Sequence, residues 1–239
     1  MNRMVNIVAH RCGTDKYPEQ TLESALFSRE HGADYIEIDI RFTKDDVPVI
    51  SHDSSAQRLY GYNAKINELS LVDFLELRYV FDRRYRSRQL TDFIEKYGGP
   101  MLLHIKEGGE RIREIDALLR HYDYSEEVVL GLVSPSDVSI AKRCNGRYTI
   151  LAFAPQKEQI GDFIAAGVDV VRLWETWVTD GDIDAVHNVG KKVWIMAGKE
   201  SSDKVGYVKD KSIITWAHND VDGILINEVI KARDLLRHV

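Results

Sequence analysis

A TIM-type (β/α)8 barrel is the fold class this sequence predicts, and three observations predict it. Short apolar, β-branched runs recur eight times along the chain. Segments of helical length, with apolar spacing near 3.6, separate them. The length of 239 residues and the 44% hydrophobic content suit a barrel built as one unit. An open doubly wound sheet is the alternative arrangement of the same elements.

The strand-like runs lie at 5–9, 35–39, 101–105, 128–132, 148–152, 169–173, 192–196 and 223–226. Between the first two, "TLESALFSREHGA" reads as a helix. Leu22, Ala25 and Leu26 share a face, Thr21 is placed to N-cap it, and Gly32 to stop it. "ERIREIDALLRHY" and "KEQIGDFIAAG" read the same way. The second of these leads into "AAGVDVVRL", which repeats the helix–glycine–strand order of "EHGADYIEI". The interval 46–100 breaks the rhythm. It opens with a further extended run, "VPVIS", and continues as a polar, aromatic-sprinkled tract to Arg88. This reads as a hairpin and an insertion, roughly 54–98, after the second strand. There it sits on the face where βα loops gather. The tract "LYGYNAKI…RYVFDRRYRSR" reads mostly as a solvated insertion surface. No Pro/Ser-rich linker interrupts the chain, so one domain over 1–239 is expected.

The net charge of -6, with no long single-sign block, argues against a nucleic-acid partner. The two cysteines, Cys12 and Cys144, form no CxxC pair, which removes a zinc or redox motif. The apolar N-terminal run is too short for a signal peptide, and no stretch approaches the ~20 residues of a membrane span. A cytoplasmic setting with no stable membrane association is expected.

Several strand ends carry polar groups that packing would not choose. His10 and Arg11 end the first strand, and His52 and Asp53 end "PVISHD". Glu37 and Asp39 lie two apart on the second strand, so both face one side of the sheet, within reach of one cation. His104 and Lys106 share the same spacing in "LLHIKE". Arg11 and Lys106 suit a phosphate oxyanion. Two histidines can divide proton transfer between a base and an acid. Charge neutralisation, an activated oxygen and a protonated leaving group are what attack on a phosphodiester needs.

These residues resemble the signature of the glycerophosphodiester phosphodiesterase family. The matching segments are His10-Arg11, Pro18-Glu19-Gln20-Thr21, Glu37-Ile38-Asp39, His52-Asp53 and His104-Ile105-Lys106, densest across 7–53. The resemblance implies a TIM barrel and a small-molecule glycerophosphodiester substrate split to glycerol 3-phosphate and an alcohol. It implies His10 and His52 as the acid/base pair, and Arg11 and Lys106 as phosphate ligands. It also implies Glu37 and Asp39 as ligands of a divalent metal, usually calcium or magnesium.

This chain departs from the family in particular places. The family's third metal carboxylate is His104 here, and imidazole suits manganese, cobalt or zinc better than calcium. The metal is then of another kind, held by two carboxylates and water, or absent. The first glycine of the family turn is Cys12, read as a small space-filler. Gln20 replaces an asparagine. Trp194 is a candidate wall of the substrate's alcohol pocket, Arg172 a further phosphate contact or a partner of Glu175, and Lys199 another phosphate contact. Two rival functions remain. One is a phospholipase-type phosphodiesterase on the same fold, which calls for exposed apolar loops; none is convincing in the sequence. The other is a degenerate barrel that binds a phosphorylated ligand, which would not require both His10 and His52.

Overall fold

The computed structural model describes residues 5–144, 146–179, 181–200 and 202–237. Its strands are β1 (Asn6–Ala9), β2 (Tyr35–Phe42), β3 (Pro48–Ile50), β4 (Met101–Ile105), β5 (Val128–Leu132), β6 (Thr149–Ala152), β7 (Val170–Trp174), β8 (Lys192–Met196) and β9 (Gly223–Ile226). Strand β1 pairs in parallel with both β2 and β9, which closes the sheet into a ring and excludes the open alternative. Eight parallel strands form that ring, a TIM barrel, and they are the eight runs expected from the sequence. Strand β3 lies outside it, antiparallel to β2 in the expected hairpin. Its pairing from Ile40↔Ile50 to Phe42↔Pro48 carries β2 three residues beyond its expected end.

Alternate strand residues point into the ring and pack there as one apolar layer. Val8, Tyr35, Leu102, Val129, Leu151, Val170, Trp194 and Leu225 belong to it. The opposite strand faces pack outward on the helices α1 (Leu22–Glu30), α5 (Arg111–His121), α6 (Pro135–Ala141), α7 (Ile160–Ala166), α8 (Asp182–Asn188), α9 (Asp210–His218) and α10 (Val229–Leu236). No helix among the described residues is long and apolar enough to cross a membrane.

Helix α1 begins as expected, with Thr21 Oγ1 accepting from Ser24 N at 3.1 Å. Its buried face differs. Leu26 is 44% exposed, while Ser24 and Ser28 are buried with Ala25. Small hydroxyl residues are needed there because the turn after β1 has carbonyls to satisfy. Ser24 Oγ donates to Gly13 O at 2.5 Å and Ser28 Oγ to Cys12 O at 2.6 Å.

The insertion carries α2 (Gln57–Tyr60), α3 (Leu71–Leu75) and α4 (Leu90–Lys96). It is only in part the solvated surface expected: Tyr62, Lys65, Arg83, Arg84 and Arg86 are exposed, but its aromatic and aliphatic residues are largely not. Leu59, Tyr60, Ile66, Phe74 and Tyr79 form a separate core, with Tyr79 edge-on to Tyr60 at 5.2 Å. Tyr79 Oη donates to Glu19 O at 2.9 Å and ties this core to the loop before α1. Val80 and Phe81 stay 54% and 60% exposed. Phe74→Ala is expected to cost ~3–5 kcal/mol, and Tyr79→Phe about 1 kcal/mol, read as shifts of the urea unfolding midpoint.

Candidate active site

The chain leaves β1 through a tight turn. Arg11 and Cys12 both take positive φ, 49° and 72°, conformations that cost non-glycine residues ~1–2 kcal/mol each. Surrounding bonds hold the turn. Gln20 N donates to Arg11 O at 2.8 Å, Gly13 N to His10 O at 2.9 Å, and Arg11 N to Glu37 Oε2 at 2.7 Å. The turn sends the side chains of His10 and Arg11 to the barrel mouth and that of Cys12 into the core. Burial, then the charges of Glu37 and Asp39, push the Cys12 thiol well above its ordinary range, which fits a space-filler.

Glu37 and Asp39 are both buried, and β2 pairs Asp39 with His104 of β4. Lys106 Nζ stands 2.8 Å from Asp39 Oδ1 and 3.0 Å from His104 Nδ1. His104 Nδ1 lies 3.0 Å from Asp39 Oδ1 and 3.5 Å from Glu37 Oε1. On the other carboxylate oxygen, Gln20 Nε2 donates to Asp39 Oδ2 at 2.6 Å, and Arg11 Nε lies 3.8 Å away. Burial works to raise the Asp39 carboxyl, but Lys106 and His104 hold it well below the usual range. Burial and the charge of Asp39 push Glu37 the other way, up to about 8. Two carboxylates on one strand face thus become unlike.

The two candidate proton-transfer histidines are each oriented through Nδ1. His10 Nδ1 is 2.8 Å from Asn227 Oδ1. Asn227 Nδ2 in turn donates to Val205 O at 3.0 Å, which fixes the amide so that its oxygen faces His10. His10 therefore donates from Nδ1 and keeps a lone pair on Nε2. Burial, then the charge of Arg11, hold its pKa down at about 3. His52 Nδ1 lies 2.7 Å from Asp53 Oδ1. Half-burial works to raise the Asp53 carboxyl, yet hydrogen bonds from His52 and Arg58 keep it well below the usual range. Arg58 of α2 also pairs with Glu19, which pairs with Arg11 at 2.7 Å.

A cavity of about 890 Å³ opens at the mouth, lined on one side by these groups and on the other by Val133, Phe153, Trp174, Met196 and Val205. Of the residues expected in the site, His10, Arg11, Glu37, Asp39, His52, His104 and Lys106 all line it. Trp194 does not. It is 2% exposed in the apolar layer, 5.4 Å from Tyr35, one inward position below Met196, which does reach the cavity. Its place on the inward face was legible; its depth was not. Lys199 is exposed and absent from the lining. Arg172 lines the cavity but does not pair with Glu175, which accepts from Gly198 N and Ser212 Oγ. Asn227, Gln20, Glu19 and Arg58 were missed as site residues. Asn227 had a signal, since it directly follows β9 as His10 follows β1. Arg58 had none, because only the insertion fold brings it to Asp53.

The family model described as the glycerophosphoryl diester phosphodiesterase family matches residues 10–218. Lysophospholipase D GDPD3 of Mus musculus is 31% identical over 59% of this chain and 46% of its own length. Glycerophosphodiester phosphodiesterase 1 of Rattus norvegicus is 32% identical over 35% of this chain and 25% of its own. The chain thus spans less than half the length of either relative. An Oleispira antarctica phosphodiesterase, solved in complex with the product sn-glycerol-3-phosphate, superposes with a TM-score of 0.83 at 16% identity. That match covers 98% of this chain and 97% of the other, and a likeness at this identity concerns the fold.

His104 yields a pH prediction. Burial, then Lys106, lower its pKa from 6.5 to about 3. Between those values the unfolded chain binds a proton that the folded chain refuses, so acid favours unfolding. In metal-free protein, His104→Gln is expected to make stability fall less steeply across that interval, by up to ~1.4 kcal/mol per pH unit. Parallel urea-midpoint curves for the two proteins would contradict this.

Proposed function

The chain belongs to the glycerophosphoryl diester phosphodiesterase family, and on that premise we propose that it hydrolyses glycerophosphodiesters to glycerol 3-phosphate and an alcohol. The observation that carries this reading is the pair of histidines in one cavity, each tied through Nδ1 to a different kind of acceptor. His10, neutral and bonded to an amide, offers Nε2 as a base. His52, tied through Nδ1 to the carboxylate of Asp53, is suited to be the acid.

In this reading Arg11 and Lys106 hold the phosphate oxygens. The Arg11 Nε is buried without a hydrogen-bond partner, so it has capacity to spare. His10 Nε2 takes the proton of the attacking hydroxyl as its oxygen bonds to phosphorus. The bond from phosphorus to the alcohol oxygen breaks, and that oxygen takes a proton from His52. Where the glycerol hydroxyl attacks first, the product is a cyclic phosphate. Water then opens it with the two histidines in reversed roles.

Glu37, Asp39 and His104 suit a divalent cation. Their ligand atoms lie within 4.8 Å of one another, and both carboxylates are buried. A set with one imidazole favours manganese, cobalt or zinc over calcium. Bound there, such an ion supplies charge neutralisation to the phosphoryl oxygens.

A second reading, a lysophospholipid substrate, is favoured by the exposed Val80 and Phe81. Val80 N bonds Leu59 O of α2, the helix that also brings Arg58 to the cavity. Comparing glycerophosphocholine with lysophosphatidylcholine separates the two readings.

Turnover of glycerophosphocholine is expected with at least one divalent metal and is expected to fall with chelator; no turnover with any metal would sink the main reading. His10→Ala and His52→Ala are each expected to lose at least ~10²-fold in kcat. Asp39→Asn is expected to abolish calorimetric binding of manganese to the resting protein, and unchanged binding would move the metal elsewhere.

A further inference from the structure

Arg172 is a buried cation that the reaction above does not use. It sits at an inward position of β7, 4% exposed, and lines the cavity. Aromatic rings surround its guanidinium: Trp174 at 4.5 Å, Phe153 at 5.3 Å and Trp177 at 5.3 Å. Such rings offer cation–π attraction but no counter-charge. Of its five N–H groups, one hydrogen bond is made, from Nη2 to Ala154 O at 3.3 Å. Nε and Nη1 are buried without a partner, and Arg172 has no ion pair among the described residues. An arginine left so is costly to fold, because a buried ion without a counter-ion keeps its desolvation penalty. Burial lowers its pKa to about 9, with the rim residue Glu200 acting the other way, so it remains a cation at neutral pH.

Its place separates it from the groups around the reacting phosphate. In the ring order β1, β2, β4, β5, β6, β7, β8, β9, strand β7 stands directly across from β2, which carries Glu37 and Asp39. From Lys106 the contacts reach Arg172 through His104, stacked on Phe153 at 3.7 Å, and then through Phe153 itself. A glycerophosphodiester has one phosphate and a neutral glycerol, so any second anionic group on it belongs to the alcohol.

We propose that Arg172 forms a second anion subsite in the cavity and selects glycerophosphodiesters whose alcohol carries a carboxylate or a phosphate monoester. The inference rests on the phosphodiesterase reading and adds the substrate class. The aromatic wall covers the faces of the guanidinium and leaves its N–H groups for an oxyanion. Within this dry wall each charged hydrogen bond discriminates more strongly than in water.

The test compares wild type, Arg172→Met and Arg172→Lys on four substrates. These are glycerophosphocholine, glycerophosphoglycerol, glycerophosphoserine with its carboxylate, and glycerophosphoinositol 4-phosphate with its phosphate monoester. The wild type is expected to show its highest kcat/KM on one or both of the last two, and which of them identifies the anion. Arg172→Met is expected to reduce the ratio of kcat/KM for that substrate over glycerophosphocholine by roughly 10–100-fold, chiefly through KM. Arg172→Lys, which keeps the charge, is expected to restore part of it. Equal losses on all four substrates would overturn the proposal and put Arg172 on the reacting phosphate or in a packing role. An unchanged ratio would overturn it as well. If no substrate is turned over by wild type, the phosphodiesterase reading fails instead. Calorimetric binding of glycerophosphoserine, glycerophosphoinositol 4-phosphate and glycerophosphocholine then decides the subsite alone. A loss confined to an anionic ligand in Arg172→Met supports it, and equal losses or none refute it.

Discussion

Two carboxylates buried side by side are the constraint around which the barrel mouth is arranged. Glu37 and Asp39 point inward from one strand, both 1% exposed, and cannot both keep their charge there without compensation. Compensation arrives from three directions. Lys106 and His104 come from the neighbouring strand β4, Gln20 from the loop before α1, and Arg11 from the turn after β1. The strained turn follows from this. For the backbone N–H of Arg11 to reach Glu37 while its side chain reaches Glu19 and approaches Asp39, the chain adopts a left-handed conformation. The buried serines of α1 follow in turn, because the carbonyls exposed by that conformation need donors.

The ring beneath the mouth isolates these charges. Its apolar layer closes the barrel interior from below, so the buried carboxylates sit on a dry floor where opposite charges act more strongly than in water. The cavity is correspondingly two-sided. Its charged half comes from β1, β2, β4 and the insertion, and its aromatic half from β6 and β7 and the segments that follow. The insertion belongs to the site through Arg58 and Tyr79. These hold Asp53 and Glu19, and through them His52 and Arg11.

Much of the site was legible because its residues obey a local rule. A polar side chain on the inward face of a strand or just past its end has no packing reason to be there, and His10, Glu37, Asp39, His104 and Lys106 all satisfy that description. The period of two tells which way a strand residue faces. It does not tell how deep the residue lies, because depth depends on the stagger between strands around the closed ring. Trp194 shows the difference: it faces inward as read, and lies below the cavity rather than in it. Leu26 shows another, since a helix buries whichever face its neighbours require. Here the neighbour was a turn with unsatisfied carbonyls, not an apolar sheet.

By itself the sequence determined the succession of strands and helices along the chain, the place of the hairpin and insertion, and the chemical types gathered at the mouth. Those are set by local periodicity and by short segments in which spacing and direction are coupled. Only the tertiary structure decided which groups meet: Asn227 with His10, Gln20 with Asp39, Arg58 with Asp53 and Glu19, and Arg172 with a ring of aromatics in place of an acid. Those meetings join residues far apart in the chain, through ring closure and the folding of the insertion. No local pattern encodes a distance that exists only once the barrel has closed.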